Sequence, residues 1–270
     1  MDTIVGIEKT IKIMVDEVTA LAELYQNIEH RVARNYNGDP LTVILSGNKE
    51  LNFYKFKLAH RDNDQPAVVR MNGDKLWYVN GKLHRDNNLP AVICIYGQEW
   101  WVNGKLHCDN GQPAKILLDG TRVWYVNGKR HRDNNLPSMI YPSGTREWWV
   151  DDKLHRLNGP AVESSDGSKE WWINGKKHRD NNLPAIEWRD GSKEWWVNDK
   201  RHREDGPAII NIDGSKGWYI NGKKHRDNNL PAIEWSNGSK EWWVNGMKHR
   251  DNSISSKQTS ECGKNYDYSR

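Results

Sequence analysis

The side chains best equipped for chemistry in this sequence recur on a fixed period. His60, His84, His107, His131, His155, His178, His202, His225 and His249 follow one another at intervals of 23 or 24 residues and make up nine of the ten histidines. Most are followed by Arg and Asp, as in His84-Arg85-Asp86 and His178-Arg179-Asp180. Imidazole and carboxylate are good ligands for transition ions, so a ladder of metal sites is one chemistry the pattern suggests. Equivalent histidines on successive β-hairpins would stand about 10 Å apart, too far for one ion to bridge them. The expected role is structural: each His and its Asp hydrogen-bond turn backbone, with no metal and no cofactor.

Other reactive readings fail for want of partners. The His-Arg-Asp copies spell part of a kinase catalytic loop. No glycine-rich phosphate loop, strand lysine with a partner glutamate, or Asp-Phe-Gly accompanies them. Cys94, Cys108 and Cys262 fit neither a disulfide framework nor a zinc spacing, and Cys108, standing where other units have Arg, has no unique base beside it. No enzyme is expected. Arg after His, with Asp or Glu close by, is expected to pair between units, each exposed pair contributing about 0.2 to 1 kcal/mol.

The histidines belong to a longer repeated phrase, Trp-Trp/Tyr-Val-Asn-Gly-Lys-x-His-Arg, which runs through nine units between Phe53 and His249. A period of this length marks an array whose units bury their apolar faces against neighbours. In the unit 184–202, Pro184 to Trp188 reads as a short strand, Asp190-Gly191 as a type I′ hairpin turn, and Lys193 to Val197 as the returning strand. Asn198-Asp199 then stands where most units have Asn-Gly, a second tight turn. Neighbouring strand residues point to opposite faces, so the two aromatics of each unit separate. The first is Trp in every later unit and is read as packed. The second, Tyr78, Trp101, Tyr125, Trp149, Trp172, Trp196, Tyr219 and Trp243, is read as an exposed row and the candidate binding surface.

Residues 1–34 differ in kind. Ile4, Ile7, Ile11, Met14, Val18, Leu21, Tyr25, Ile28 and Val32 fall at steps of three and four, which predicts one amphipathic α-helix. It would either oligomerise the chain through that stripe or cap the end of the array. Residues 35–252 form the array, entered through a turn-rich stretch. The polar segment 253–270 is expected to be disordered. The fold class is therefore mainly β: an elongated open antiparallel array of about nine hairpin repeats behind one helix, extending about 80 to 90 Å if open throughout.

Fifteen Trp and 10 Tyr against 2 Phe supply the apolar area that few aliphatics provide, and net charge is only +4, from 40 basic and 36 acidic residues. That balance argues against nucleic acid. No apolar run is long enough to span a bilayer as a helix, and Met-Asp-Thr-Ile lacks the basic start of a signal peptide, so a cytoplasmic or virion location is expected.

The run Trp172-Ile173-Asn174-Gly175-Lys176-Lys177-His178 resembles the core of MORN repeats, over roughly residues 40 to 250. The resemblance implies extended antiparallel hairpin sheets that act as scaffolds and as surfaces for protein helices or membrane lipids. Two departures stand out. The glycine two before the second aromatic occurs only at Gly217, being Glu at Glu99, Glu147, Glu170, Glu194 and Glu241, and the residue after His is Arg rather than Gly. Glutamates there would fill or charge the groove, which weakens the lipid reading. The Trp-Trp and His-Arg-Asp-x-x-Pro-Ala wording resembles repeat proteins of large DNA viruses and phages, implying a structural part of a virus particle. The functions expected are a protein-binding scaffold, with carbohydrate binding on the aromatic row as the alternative.

Overall fold

The computed structural model describes the backbone of Arg31–Arg34, Pro40–Leu45 and Glu50–Lys55, and residues 58–70 and 72–249. The chain divides into two units, Met1–Pro142 and Ser143–Arg270. Each is an open antiparallel β-sheet from which small hairpins emerge every 23 or 24 residues, with no helix among the described residues. In the first unit Pro40–Leu45, Glu50–Lys55, Val68–Arg70, Lys75–Leu76, Val92–Cys94, Gly97–Glu99, Lys115–Leu117, Arg122–Val123 and Met139–Ile140 each pair with the next. In the second the order is Arg146–Glu147, Val162–Glu163, Lys169–Glu170, Ile186–Glu187, Lys193–Glu194, Ile209–Ile210, Lys216–Gly217, Ile233–Glu234 and Lys240–Val244.

One boundary needs correction. Arg31–Arg34 is a strand, not the end of a helix, and pairs with Pro40–Leu45 in the register Arg31↔Val43 to Arg34↔Pro40. The pairing satisfies backbone groups that a helix running through residue 34 would leave bare along the edge of Pro40–Leu45. The stripe Ile4, Ile7, Ile11, Met14, Val18, Leu21, Tyr25 and Ile28 lies outside the described residues, as does 253–270.

The strands are shorter than expected because the returning strand leaves the sheet at the first Trp. Lys193–Glu194 pairs with Ile186–Glu187, but the Trp195 N–H donates to the Ala208 carbonyl at 2.8 Å and its carbonyl accepts from the His202 N–H at 3.0 Å. The chain then enters a separate ribbon, Trp196–Val197 against Lys200–Arg201. Its turn residues Asn198 and Asp199 have φ of 49° and 63°, the two left-handed residues of a type I′ turn. The sheet hairpin is built differently. Gly191, with φ of 93°, is left-handed and Asp190 is not, so this loop is a type I turn closed by a glycine bulge rather than the expected type I′. Asp190 is held there because its Oδ1 accepts the Ser192 N–H at 2.8 Å.

Packing follows from the residue at each station. The alanine that opens the first strand of each sheet hairpin is fully buried (Ala67, Ala91, Ala114, Ala161, Ala185, Ala208 and Ala232, with Ser138 in its place once), and from Ala91 onward its carbonyl accepts the N–H of a first-row Trp. Trp77, Trp124, Trp148 and Trp195 are buried, whereas Trp100, Trp171, Trp218 and Trp242 are half-buried. The indole N–H of Trp77, Trp100, Trp124, Trp195 and Trp242 donates to a carbonyl in the preceding linker at 2.8 to 3.2 Å. Burying such a ring with its polar atom satisfied is how a thin sheet acquires a core.

Two different deletions produce the 23-residue interval. After His155 and His202 the linker to the next proline has one residue fewer than the Asp-Asn-Asn-Leu form. After His84 the linker is full length and the sheet hairpin is short, Cys94 pairing with Gly97 across Ile95 and Tyr96. The shortened loop brings Gly97 against the next strand, where a Cβ would meet the Ile116 carbonyl oxygen at 2.0 Å, so only glycine fits. In both cases the register is kept: Glu99 still pairs with Val92 and Lys115, as Glu170 pairs with Val162 and Ile186.

Candidate functional site

The histidines are absorbed into the stacking of the small ribbons. Nδ1 of His60, His84 and His107 accepts the N–H of Asn80, Asn103 and Asn127 at 3.2 to 3.3 Å in the first unit. His155, His178, His202 and His225 do the same for Asn174, Asn198, Asn221 and Asn245 at 3.0 to 3.3 Å in the second. An accepting Nδ1 leaves the proton on Nε2, which donates to the aspartate two residues on, as in His178–Asp180 at 2.8 Å and His84–Asp86 at 3.0 Å. His131 keeps its Asp133 contact at 3.1 Å, while its buried Nδ1 has no partner. His249, in the last ribbon, is exposed. Among the described residues no group of His, Cys, Asp or Glu is placed to hold a metal.

The arginine after each histidine lies on the first-row ring. Arg85, Arg132, Arg156, Arg179, Arg203 and Arg226 stand 3.6 to 4.0 Å from the centres of Trp77, Trp124, Trp148, Trp171, Trp195 and Trp218. Arg179 Nη1 also donates to the Pro184 carbonyl at 2.9 Å and to Glu187 at 2.8 Å, and Arg156 and Arg226 reach Glu163 and Glu234 likewise. For these three arginines the carboxylate is thus seven or eight residues on, whereas Arg85 pairs between repeats as expected, its Nε and Nη2 donating to Asp64 at 2.6 and 2.8 Å. The spacing hides this because the linker folds back. In place of that Glu the Arg203 clamp has Ile210; its buried Nε is unpartnered and desolvation lowers its pKa.

The second-row aromatics Tyr78, Trp101, Tyr125, Trp149, Trp172, Trp196, Tyr219 and Trp243 are half-buried, not the exposed row expected from strand parity. Their own repeats cover them. The indole N–H of Trp101, Trp149, Trp172, Trp196 and Trp243 donates to Glu99, Glu147, Glu170, Glu194 and Glu241 at 2.7 to 3.0 Å. In the second unit cations lie between successive rings: Lys177 is 5.2 Å from Trp172 and 5.4 Å from Trp196, and Arg201 is 4.9 Å from Trp196 and 5.7 Å from Tyr219. The same glutamates bind those cations, Lys177 at 3.4 Å from Glu170 and Arg201 at 3.0 Å from Glu194. Lys248 and Trp243 hold the Glu241 carboxyl below its ordinary range, and burial raises the Tyr219 hydroxyl.

This pairing was legible and missed. Wherever the residue two before the second aromatic is Glu, the aromatic is Trp; where it is Leu76, Val123 or Gly217, the aromatic is Tyr78, Tyr125 or Tyr219. Tyrosine has no indole N–H to satisfy. At Gly217 a Cβ would stand 2.9 Å from the Tyr219 ring, so the one glycine of this row is where a ring leans onto the sheet.

The opposite edge is formed by the sheet-hairpin loops. Ser168, Ser192 and Ser215 are buried and accept through Oγ the N–H of Arg189, Ile212 and Ser236 in the next loop at 2.9 to 3.0 Å. Asp166 and Asp213 each accept the N–H and Oγ–H of their serine, which holds both carboxyls below their ordinary range. Apolar side chains open to solvent gather here: Tyr96 and Leu118 in the first unit, Trp188, Ile212 and Trp235 in the second. Cys108 is half-buried, its thiol raised by burial and then by Asp109, so it is a poor nucleophile. No described helix is long and apolar enough to cross a membrane. No protein-family model matches the chain, and no curated protein matches its sequence.

Proposed function

We propose that this β-hairpin repeat protein is a non-enzymatic scaffold of MORN-like type, a protein-interaction module that presents loops at regular intervals. The observation that carries the reading is the fate of its reactive groups: most of the histidines, second-row aromatics and arginines of the repeated phrase are engaged by their own or the adjacent repeat. A catalytic or ligand-gripping group must keep a free face or lone pair for its substrate. Engaged rings also favour the scaffold over carbohydrate binding on the second row, and glutamates beside them work against a lipid surface. The proposal carries a cytoplasmic or virion setting, with the stripe from Ile4 to Ile28 as its oligomerising segment.

Cross-linking the intact protein in its native source tests it. Discrete protein partners should link to exposed Lys169, Lys193 and Lys216. Links confined to small fragments of the chain itself would overturn the partner reading. Loss of mass in light scattering after removal of residues 1–30 is the result expected of the oligomerising segment.

A further inference from the structure

Two tryptophans stand apart from both rows. Trp188 and Trp235 occupy the same station, the last residue before the sheet-hairpin loop, and are 40% and 46% exposed. Their backbones are held identically, each N–H donating to the serine carbonyl across the loop, Ser192 at 3.0 Å and Ser239 at 2.9 Å. Among the described residues no cation covers either ring, and the hydrogen bonding of the two indoles is limited to a long contact from Trp188 Nε1 to Glu194 at 3.3 Å. The other units place Arg70, Cys94, Leu117, Tyr141, Ser164 and Asn211 at this station, so the exposed ring is not demanded by the architecture.

Polar groups with unused capacity surround the first ring. Trp188, Asp166, Ser168, Arg189 and Asp190 line a shallow hollow of about 320 Å³. Among the described residues the Arg189 guanidinium has no hydrogen-bond acceptor, though its charge helps to lower the Asp166 carboxyl. Asp190 uses one oxygen on the Ser192 N–H, and Asp166, its pKa lowered by the Ser168 hydrogen bonds, retains acceptor sites beyond the two given to Ser168. Around Trp235 the rim keeps one carboxylate, Asp213, which accepts from Ser236 Oγ at 3.2 Å, while Ser236 and Asn237 stand in place of Arg189 and Asp190. A flat apolar face rimmed by carboxylate acceptors and a guanidinium donor matches a sugar ring, which offers C–H bonds on its face and hydroxyls at its edge. The signs of charge are mixed, so the match is to a neutral sugar.

We propose that Trp188 and Trp235 are paired stacking platforms for a linear neutral oligosaccharide. Four strand steps separate them, about 19 Å at sheet spacing. A ligand that reaches both gains from the second contact without a second loss of freedom, so affinity should depend on length.

The test is a glycan array of linear neutral oligosaccharides, followed by titration of the intact protein with the hexasaccharide and the disaccharide of the best binder. The hexasaccharide should bind at least ten-fold tighter. Trp188→Ala or Trp235→Ala should lower it to the disaccharide level, and Trp188→Tyr should retain most of the affinity. A cooperative melting transition retained well above the binding temperature separates loss of the platform from loss of fold. No binding to any array member overturns the proposal. So does binding that survives the Trp188→Ala/Trp235→Ala double variant, or that is lost instead with Trp172→Ala.

Discussion

The two edges of each repeat, the small ribbon with its histidine and the sheet hairpin with its serine, both carry polar groups and use them in opposite ways. On the ribbon edge His178 ties one turn to the next, Glu170 holds Trp172, and Lys177 lies between rings. On the hairpin edge a single buried serine does the tying, and the positions around it vary from Ser164 to Trp188 to Asn211 to Trp235. What repeats most faithfully is therefore architecture. The stations free to change are those left open to solvent, and a search for function belongs there.

Substitutions on the two sides should break this contrast or sharpen it. The largest effect is expected at Trp195, buried beneath Arg203 with its indole N–H on the Asn182 carbonyl. Trp195→Ala should cost about 3 to 5 kcal/mol in urea unfolding, whereas Trp188→Ala at the open edge should cost about 1 kcal/mol or less. Equal losses would abolish the distinction. Next, Glu170→Val should destabilise by about 1 to 3 kcal/mol, since it strands the Trp172 N–H. Adding Trp172→Tyr should recover part of the loss, with a coupling of at least about 0.5 kcal/mol in the double-mutant cycle. Simple additivity would mean that the Glu–Trp and apolar–Tyr pairings are coincidental.

A smaller gain is expected from Cys108→Arg, which restores a guanidinium over Trp100, the one first-row ring whose repeat lacks the arginine between Trp77 and Trp218. The change should stabilise by about 0.5 to 1 kcal/mol, read as a raised melting temperature. The smallest effect is electrostatic. Asp166 and Asp213 have folded pKa values depressed by their serines, so their contribution is present above the ordinary carboxylate range and is lost as pH falls through the folded values. Thermal melts taken below pH 5 should show a slightly shallower acid loss for the Asp166→Asn/Asp213→Asn variant. An identical acid profile would assign the serine ladder no electrostatic share.

The period, the hairpins and the Asn-Gly turns were legible because each depends on local chemistry: Trp and Ala stations repeat with the strands, and Asn-Gly supplies two left-handed residues in a row. What was not legible depends on contacts across repeats. The returning strand was drawn too long because nothing local to Trp195 announces that its N–H goes to Ala208. Asp190-Gly191 was given the wrong turn because the Asp side chain competes for Ser192 and keeps its own backbone right-handed. Alternation placed the second aromatic on the face away from the first, but it could not show that Lys177 and Arg201 of neighbouring ribbons would close over it. Arg31–Arg34 reads as helical until the strand it pairs with is seen.

The two routes to a 23-residue repeat carry a practical consequence. A residue has been removed at the sheet-hairpin loop in one repeat and at the linker in two others, and the pairing beyond each gap resumes unchanged. Length at these points is slack that the sheet does not feel. Foreign peptides spliced at residues 95–96 or 204–205 should therefore ride on the array without shifting any strand by the single step that would turn its core face outward. Natural variants of this chain should differ in length at those loops before they differ anywhere else.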